Sequence, residues 1–237
     1  LEAAAFLDPE RVVVVKQDAQ HPTVIALHTG EVIRELPGLG ARAVTLAAVD
    51  AHRFVAATDK GHLALFDVRT GARTSLGNFV ETISKVVLHP DGRHIVWVGF
   101  DGSVRRCDID RSSPRVENLF GGMARGYSVA ISSDGQLVAG GDSRGNLVLH
   151  DWADHSERRF KVGKSVTGLQ FTPDGRRLLA TDLHEKALRV VDVETGEIVS
   201  EFPGHPDDGL RQVGFLPDGK TIYTVDGQSL LKLWRTE

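Results

Sequence analysis

With a single cysteine, Cys107, the 237-residue chain has no internal disulfide. That points to a reducing compartment and so to the cytoplasm. No apolar run approaches the roughly 18 residues that cross a bilayer as a helix, and no Asn-x-Ser/Thr sequon occurs. Positive charge is not in surplus: 28 Lys and Arg against 32 Asp and Glu give a net charge of −4. Bulk nucleic-acid binding is therefore not expected, although a local basic patch is not excluded. An amphipathic helix of useful length is also missing, so helix content is expected near zero. The chain opens at Leu1 without a methionine or a basic leader, as a piece of a longer protein would. An upstream catalytic or signalling domain is compatible with that start.

What is present is a core and a repeat. Hydrophobic residues make up 41% and charged residues 25%, enough for a packed interior, and 25 glycines point to many tight turns. Short apolar strings ending in Asp or a turn recur as LALFDVRTG, VRRCDID, LVLHDW, LRVVDVETG and LKLWRTE, with VIALHTG before them. Their anchor residues are Ile25, Phe66, Cys107, His150, Val191 and Trp234, always 41 to 43 residues apart. Six copies at so constant a period mark a repeat architecture. The units cover about 1–36, 37–77, 78–120, 121–162, 163–203 and 204–237.

Each period holds the same sequence of elements. A first strand such as Lys85–Leu88 ends in a turn, Pro90-Asp91-Gly92, that recurs as Ser133-Asp134-Gly135, Pro173-Asp174-Gly175 and Pro217-Asp218-Gly219. Proline presets φ, Asp caps its own backbone and Gly accepts φ > 0. A second strand follows, such as Ile95–Val98, and then a turn carrying Asp18, Asp59, Asp101, Asp142, Asp182 or Asp226. An alternating third strand and a more polar fourth, such as Glu197–Phe202, complete an antiparallel meander. Occurring once per unit, the six turn aspartates are expected to be structural caps rather than catalytic groups.

A lone four-stranded meander leaves both faces bare, so such units stack radially and cover one another. The period, the Pro-Asp-Gly turns, the turn Asp and the Phe/Trp-Asp-like strand ends resemble the WD-repeat β-propeller family, which the Arg, Ala and Gly usage places in a GC-rich, bacterial genome. The resemblance covers nearly the whole chain and implies an all-β fold of four-stranded blades. It also implies a hydrogen-bonded network of loop His, strand Thr, turn Asp and strand Trp. Only the sixth unit carries the full set, as His205, Thr224, Asp226 and Trp234, with Gly204 before the His. Trp234 is expected to be a buried aromatic. The first unit starts on its innermost strand, Ala3–Leu7, and the last stops at its third. Two closures remain open: a ring of six with one incomplete blade, or six blades of a seven-bladed parent, the latter preferred.

Several motifs imitate chemistry. Gly38-Leu39-Gly40-Ala41-Arg42-Ala43 has dinucleotide-loop spacing, but a strand follows where a helix is needed. Gly163-Lys164-Ser165 lacks the upstream glycine of a phosphate loop. Ser128, in a near nucleophile elbow, falls within a first strand. The ten histidines do not cluster at metal spacing, and His205-Pro206-Asp207-Asp208 is the one loop with mixed ligand types. Cys107 reads as a small buried hydrophobe. No catalytic, cofactor-binding or metal residue is assigned, and no cofactor is expected.

One surface stands out. In the propeller family the loops joining fourth to first strands share a face with those joining second to third strands. They carry Arg42, Lys60, Arg125, Arg144, Lys164, His184 and Arg211, against Glu81, Glu185, Asp207 and Asp208, with Phe100 and Tyr127 as aromatic anchors. Such a rim suits a protein or peptide partner, acidic or phosphorylated. The reading is a non-catalytic interaction scaffold or regulatory module, with no nucleic acid or membrane as partner. The rival is an enzyme-associated propeller, lactonase- or dehydrogenase-like, with a site at the central channel. It would need convergent carboxylates or a metal there, where the first strands are mostly Val, Ala and Leu.

Overall fold

The computed structural model describes residues 3–16, 21–111, 114–203, 209–216, 220–226, 228 and 230–235. Among these residues every regular element is a strand. The chain divides into two compact units, Leu1–Phe100 with Arg105–Asn118 and Asp101–Val104 with Leu119–Glu237. Among the described residues no helix is long and apolar enough to cross a membrane, a statement that does not bear on β-barrels.

The strands form six antiparallel sheets of the β-propeller blade type, each meandering in chain order. The first two are β1 (Ala3–Asp8), β2 (Arg11–Val15), β3 (Thr23–Ala26) and β4 (Val32–Glu35), then β5 (Ala43–Ala48), β6 (Arg53–Thr58), β7 (His62–Asp67) and β8 (Arg73–Asn78). The third holds β9 (Ile83–Leu88), β10 (His94–Gly99), β11 (Val104–Asp108) and β12 (Val116–Phe120). The fourth holds β13 (Gly126–Ile131), β14 (Leu137–Asp142), β15 (Asn146–Asp151) and β16 (Glu157–Lys161), and the fifth β17 (Gly168–Phe171), β18 (Arg177–Asp182), β19 (Ala187–Asp192) and β20 (Ile198–Pro203). The sixth shows β21 (Leu210–Phe215), β22 (Thr221–Asp226) and β23 (Leu231–Arg235) among the described residues.

The sequence period becomes register here. The anchors Ile25, Phe66, His150, Val191 and Trp234 sit opposite Val12, Phe54, Val138, Leu178 and Ile222 on the neighbouring second strand. Most residues of the second strands are buried. In β6, β10 and β18 every residue but the first is buried. In the first unit Phe54 and Phe66 stack at 5.0 Å beside Val13, Val24 and Val68, and Trp97 and Cys107 join Val55, Leu63 and Ile83. In the second, Leu147, Val166, Leu178 and Val191 form one core, and Leu188, Leu210 and Ile222 another. Each fully buried side chain of this size contributes about 1.5–3 kcal/mol.

The turns behave as their residues dictate. Gly92, Gly135 and Gly175 take φ of 69°, 76° and 69°. Asp91 Oδ1 accepts the Arg93 and His94 amides at 2.8 and 2.9 Å, and Asp174 Oδ1 accepts that of Arg176 at 3.1 Å. The corresponding turn Pro217-Asp218-Gly219 lies outside the described residues.

Candidate interaction surface

The second strand of each sheet ends at a turn, and the polar residue at that end decides what the loop can present. In the fourth sheet this residue is Asp142, fully buried. Its Oδ1 accepts the backbone N–H of Arg144 and Asn146, both at 2.9 Å. Its Oδ2 accepts Ala124 N–H at 2.9 Å and Asn146 Nδ2 at 2.8 Å. Burial pushes this carboxyl up, but the hydrogen bonds from Asn146, Ala124 and Arg144 outweigh it and hold it below the usual range. Asp182 does the same in the fifth sheet. It takes the amides of His184 and Glu185 on one oxygen and those of Lys164 and Ser165 on the other. Asp226 accepts Gln228 and Leu230 amides at 2.9 and 2.8 Å.

These bonds join the loop entering a sheet to the turn between its second and third strands. Backbone bonds reinforce the joint: Ser143 N donates to Arg125 O at 2.8 Å, Val162 N to Gly145 O at 3.0 Å, and Asp59 N to Arg42 O at 3.0 Å. Within each unit the two loop sets therefore share one end of their sheets.

The expectation of six equivalent aspartates needs correction. In register, the partner of Asp142 and Asp226 in the second sheet is Thr58, which lies eight positions before its anchor as they do. Thr58 is fully buried, and its Oγ1 accepts His62 N at 3.0 Å. In the third sheet the strand ends on Gly99. Asp59 and Asp101 come one and two residues later; Asp59 is half-buried and Asp101 exposed. Asp18 lies outside the described residues.

The rim residues are distributed as follows. Arg42 and Lys60 are exposed in the first unit, and Arg42 Nε stands 3.5 Å from Asp59 Oδ2. Phe100 is half-buried after β10. In the second unit Arg125, Arg144, Lys164 and His184 are exposed, and Tyr127 on β13 is half-buried. Lys161 Nζ donates to Arg144 O, linking two turns. Glu185 lies 3.5 Å from Lys164 and 2.5 Å from Arg189 Nη2. Arg211 belongs to β21, but its side chain lies outside the described set, as do His205, Asp207 and Asp208. The sequence reading passed over Val80, 98% exposed in the loop entering the third sheet. A lone Val in a loop has no period to reveal it.

In the sixth sheet Trp234 Nε1 donates to Thr224 Oγ1 at 2.9 Å, and Thr224 and Asp226 are buried. Trp234 itself is half-buried, tilted against Phe202 at 5.9 Å, not enclosed as expected.

The imitating motifs have structural explanations. Gly38–Ala43 leads into β5. In the Gly163-Lys164-Ser165 loop the Lys164 and Ser165 amides already bind Asp182 and cannot cradle phosphate. Ser128 is buried on β13. Burial, helped by Asp108, pushes the Cys107 thiol up to about 11, far from a nucleophile's range. Among the described residues no group of three or more His, Cys, Asp or Glu could hold a metal ion.

Residues 196–235 match the family of the WD domain, G-beta repeat. The likeness is to WD-repeat proteins. One such repeat spans β20, the outer strand of the fifth sheet, and the three strands of the sixth. Over 237 aligned residues the chain is 22% identical to WD repeat-containing protein 55 of Rattus norvegicus, covering 96% of this chain and 59% of that protein. It is 24% identical to nuclear distribution protein PAC1 of Arthroderma otae over 87% of this chain and 40% of the relative. It is also 24% identical to the guanine nucleotide-binding protein subunit beta of Arabidopsis thaliana, over 78% and 53%. The chain thus spans roughly two to three fifths of these relatives' length. All three are eukaryotic, and the bacterial origin suggested by residue usage finds no support in them.

Proposed function

We propose that this chain is a non-catalytic protein-interaction scaffold, a single WD-repeat propeller domain across residues 1–237 of a regulatory or signalling protein acting in the cytoplasm. Its partner is an acidic segment, whose affinity phosphorylation raises, docking on the loop end of the second unit. One observation carries this reading. Asp142 and Asp182 direct their oxygens inward to backbone amides, while Arg125, Arg144 and Lys164 stand in solvent around them. Arg125 and Arg144 are the exposed cations that an acidic segment would meet at this end, in a chain of net negative charge. Asp59 offsets Arg42 in the first unit, and Glu185 stands equally close to Lys164 in the second, both at 3.5 Å. Tyr127 supplies an aromatic anchor beside these cations, and Phe100 is the candidate anchor of the first unit. Arg211 and His184 extend the rim by position.

The test is fluorescence anisotropy with a labelled Glu-Ser repeat peptide, unphosphorylated and phosphorylated. The triple variant R125A/R144A/K164A is expected to lose about tenfold in affinity, equivalent to ~1.4 kcal/mol, and most of its salt dependence. R42A/K60A should lose less than about threefold, given how weak exposed ion pairs are. Equal binding by the triple variant and the parent would remove this reading.

A further inference from the structure

The fifth and sixth sheets, both in the second unit, enclose a cavity of about 440 Å³. Its floor is apolar: Leu179 and Ile222 are each 1% exposed, and Val190, Phe202 and Phe215 complete it. Arg177 and Arg235 line it, with the hydroxyls of Thr172 and Ser200. Arg177 starts β18, the strand that ends at Asp182, and Arg235 ends β23. The arginines therefore lie at the end of the sheets opposite the loop surface.

These two differ from Arg158, Arg159 and Arg189. Arg158 donates to the Val193 and Glu194 carbonyls, Arg159 to Glu157 and Gly121 O, and Arg189 to Glu201, Glu185 and Asp182. Neither Arg177 nor Arg235 forms an ion pair or donates a side-chain hydrogen bond among the described residues. Asp174 and Asp192 feel the charge of Arg177. Their oxygens, however, accept from Thr172 and Arg176, and from Glu194 and Thr195.

We infer that this cavity binds an amphipathic carboxylate, its apolar body on the Leu179–Ile222–Phe202 floor and its acid group between Arg177 and Arg235. The volume falls in the range of small-molecule sites, and an apolar wall with a few convergent polar groups is their usual make-up. A guanidinium offers a planar fork that matches a carboxylate, so two unengaged forks at the rim of an apolar floor select an anion with a greasy body. The site shares no residue with the loop surface, so either assignment can fail without the other.

Calorimetric titration of dodecanoate into the full-length protein is expected to show one saturable site. Dodecanol, the same body without charge, should bind at least about tenfold more weakly, as should dodecanoate to R177Q/R235Q. V190W, which fills the floor, should abolish binding with its circular dichroism unchanged. L231S/L233S, which removes exposed leucines of β23 away from the cavity, should bind as the parent does. Equal affinity for acid and alcohol, or full affinity in R177Q/R235Q, overturns the inference even if V190W fails to fold. Loss in L231S/L233S points to a non-specific apolar surface and overturns it too. So does the absence of binding to the full-length protein, the result expected if other chain covers the floor.

Discussion

Thr58 and Asp142 hold the same place in their sheets. Each ends a second strand, and each accepts the backbone N–H four residues on, His62 N at 3.0 Å for Thr58 Oγ1 and Asn146 N at 2.9 Å for Asp142 Oδ1. Asp59, which looks like the counterpart of Asp142 in the chain, lies one residue outside that place with an exposed arginine beside it.

Replacing these residues should therefore give unequal results. D142A strands the amides of Arg144, Asn146 and Ala124 in a buried site and is expected to cost about 2–4 kcal/mol. T58A should cost about 1 kcal/mol, for one hydrogen bond. D59A should stay within about 0.5 kcal/mol of the parent, because its one ion pair, to the exposed Arg42, is long and weak. Urea unfolding of the three variants measures this. A D59A as damaging as D142A would restore the idea of equivalent caps.

That contrast shows what the chain reveals before its structure is known. The period fixed by Phe66, His150, Val191 and Trp234 translates directly into strand register, because each anchor pairs with an apolar residue of the second strand, Phe54, Val138, Leu178 and Ile222. Turns obey weaker rules. Thr58 and Asp142 both accept the amide four residues on, so chemistry tolerates either there, and a nearby Asp in the string can be mistaken for the true cap. The rim cations are visible as residue types, but the inward aim of Asp142 and Asp182 is not. The cavity beneath Arg177 and Arg235 joins residues more than fifty positions apart in two sheets and leaves no local trace.

Trp234 and Thr224 make a second pair open to test. The indole gives one hydrogen bond and covers Phe202 while remaining half-buried. W234A is expected to cost about 2–3 kcal/mol, below the 3–5 typical of an enclosed aromatic. T224V, which keeps the shape and removes the acceptor, should cost about 1–2 kcal/mol. Because the pair is coupled, the double variant should cost less than the sum. Strict additivity would mean that the 2.9 Å contact contributes nothing.

Acid should weaken the first unit through Asp91 and Asp108. Burial raises the Asp91 carboxyl, but hydrogen bonds from His94 and Arg93 and the charge of His89 bring it down to about 2. Arg93 holds Asp108 at about 2, against opposing burial. Both folded values lie below the ordinary 3.8, so their contribution is complete above about pH 4 and lost as pH falls towards 2. Urea midpoints between pH 6 and 2 should drop over that interval, and D91N/D108N should flatten the slope. An unchanged slope in the double variant would assign the acid sensitivity elsewhere.

Arg189 ties the fifth sheet together at four points. Nε donates to Glu201 at 2.6 Å, Nη2 to Glu185 at 2.5 Å, and Nη1 to Val162 O at 2.9 Å and Asp182 at 3.3 Å. Its side chain is 10% exposed. Removing one partner of such a group leaves charge buried without compensation, so R189M should cost about 3–5 kcal/mol. E201Q should cost under about 1 kcal/mol, because Glu201 is more than half exposed. Gly163 supplies the space for this cluster: a Cβ there would stand 2.2 Å from Asp182 Oδ2 and 2.5 Å from Arg189 Nη1. G163A should thus displace the same two groups, and G163A/R189M should be little worse than R189M alone. If the two costs simply add, Gly163 acts through its backbone, and the close approach to Arg189 is incidental.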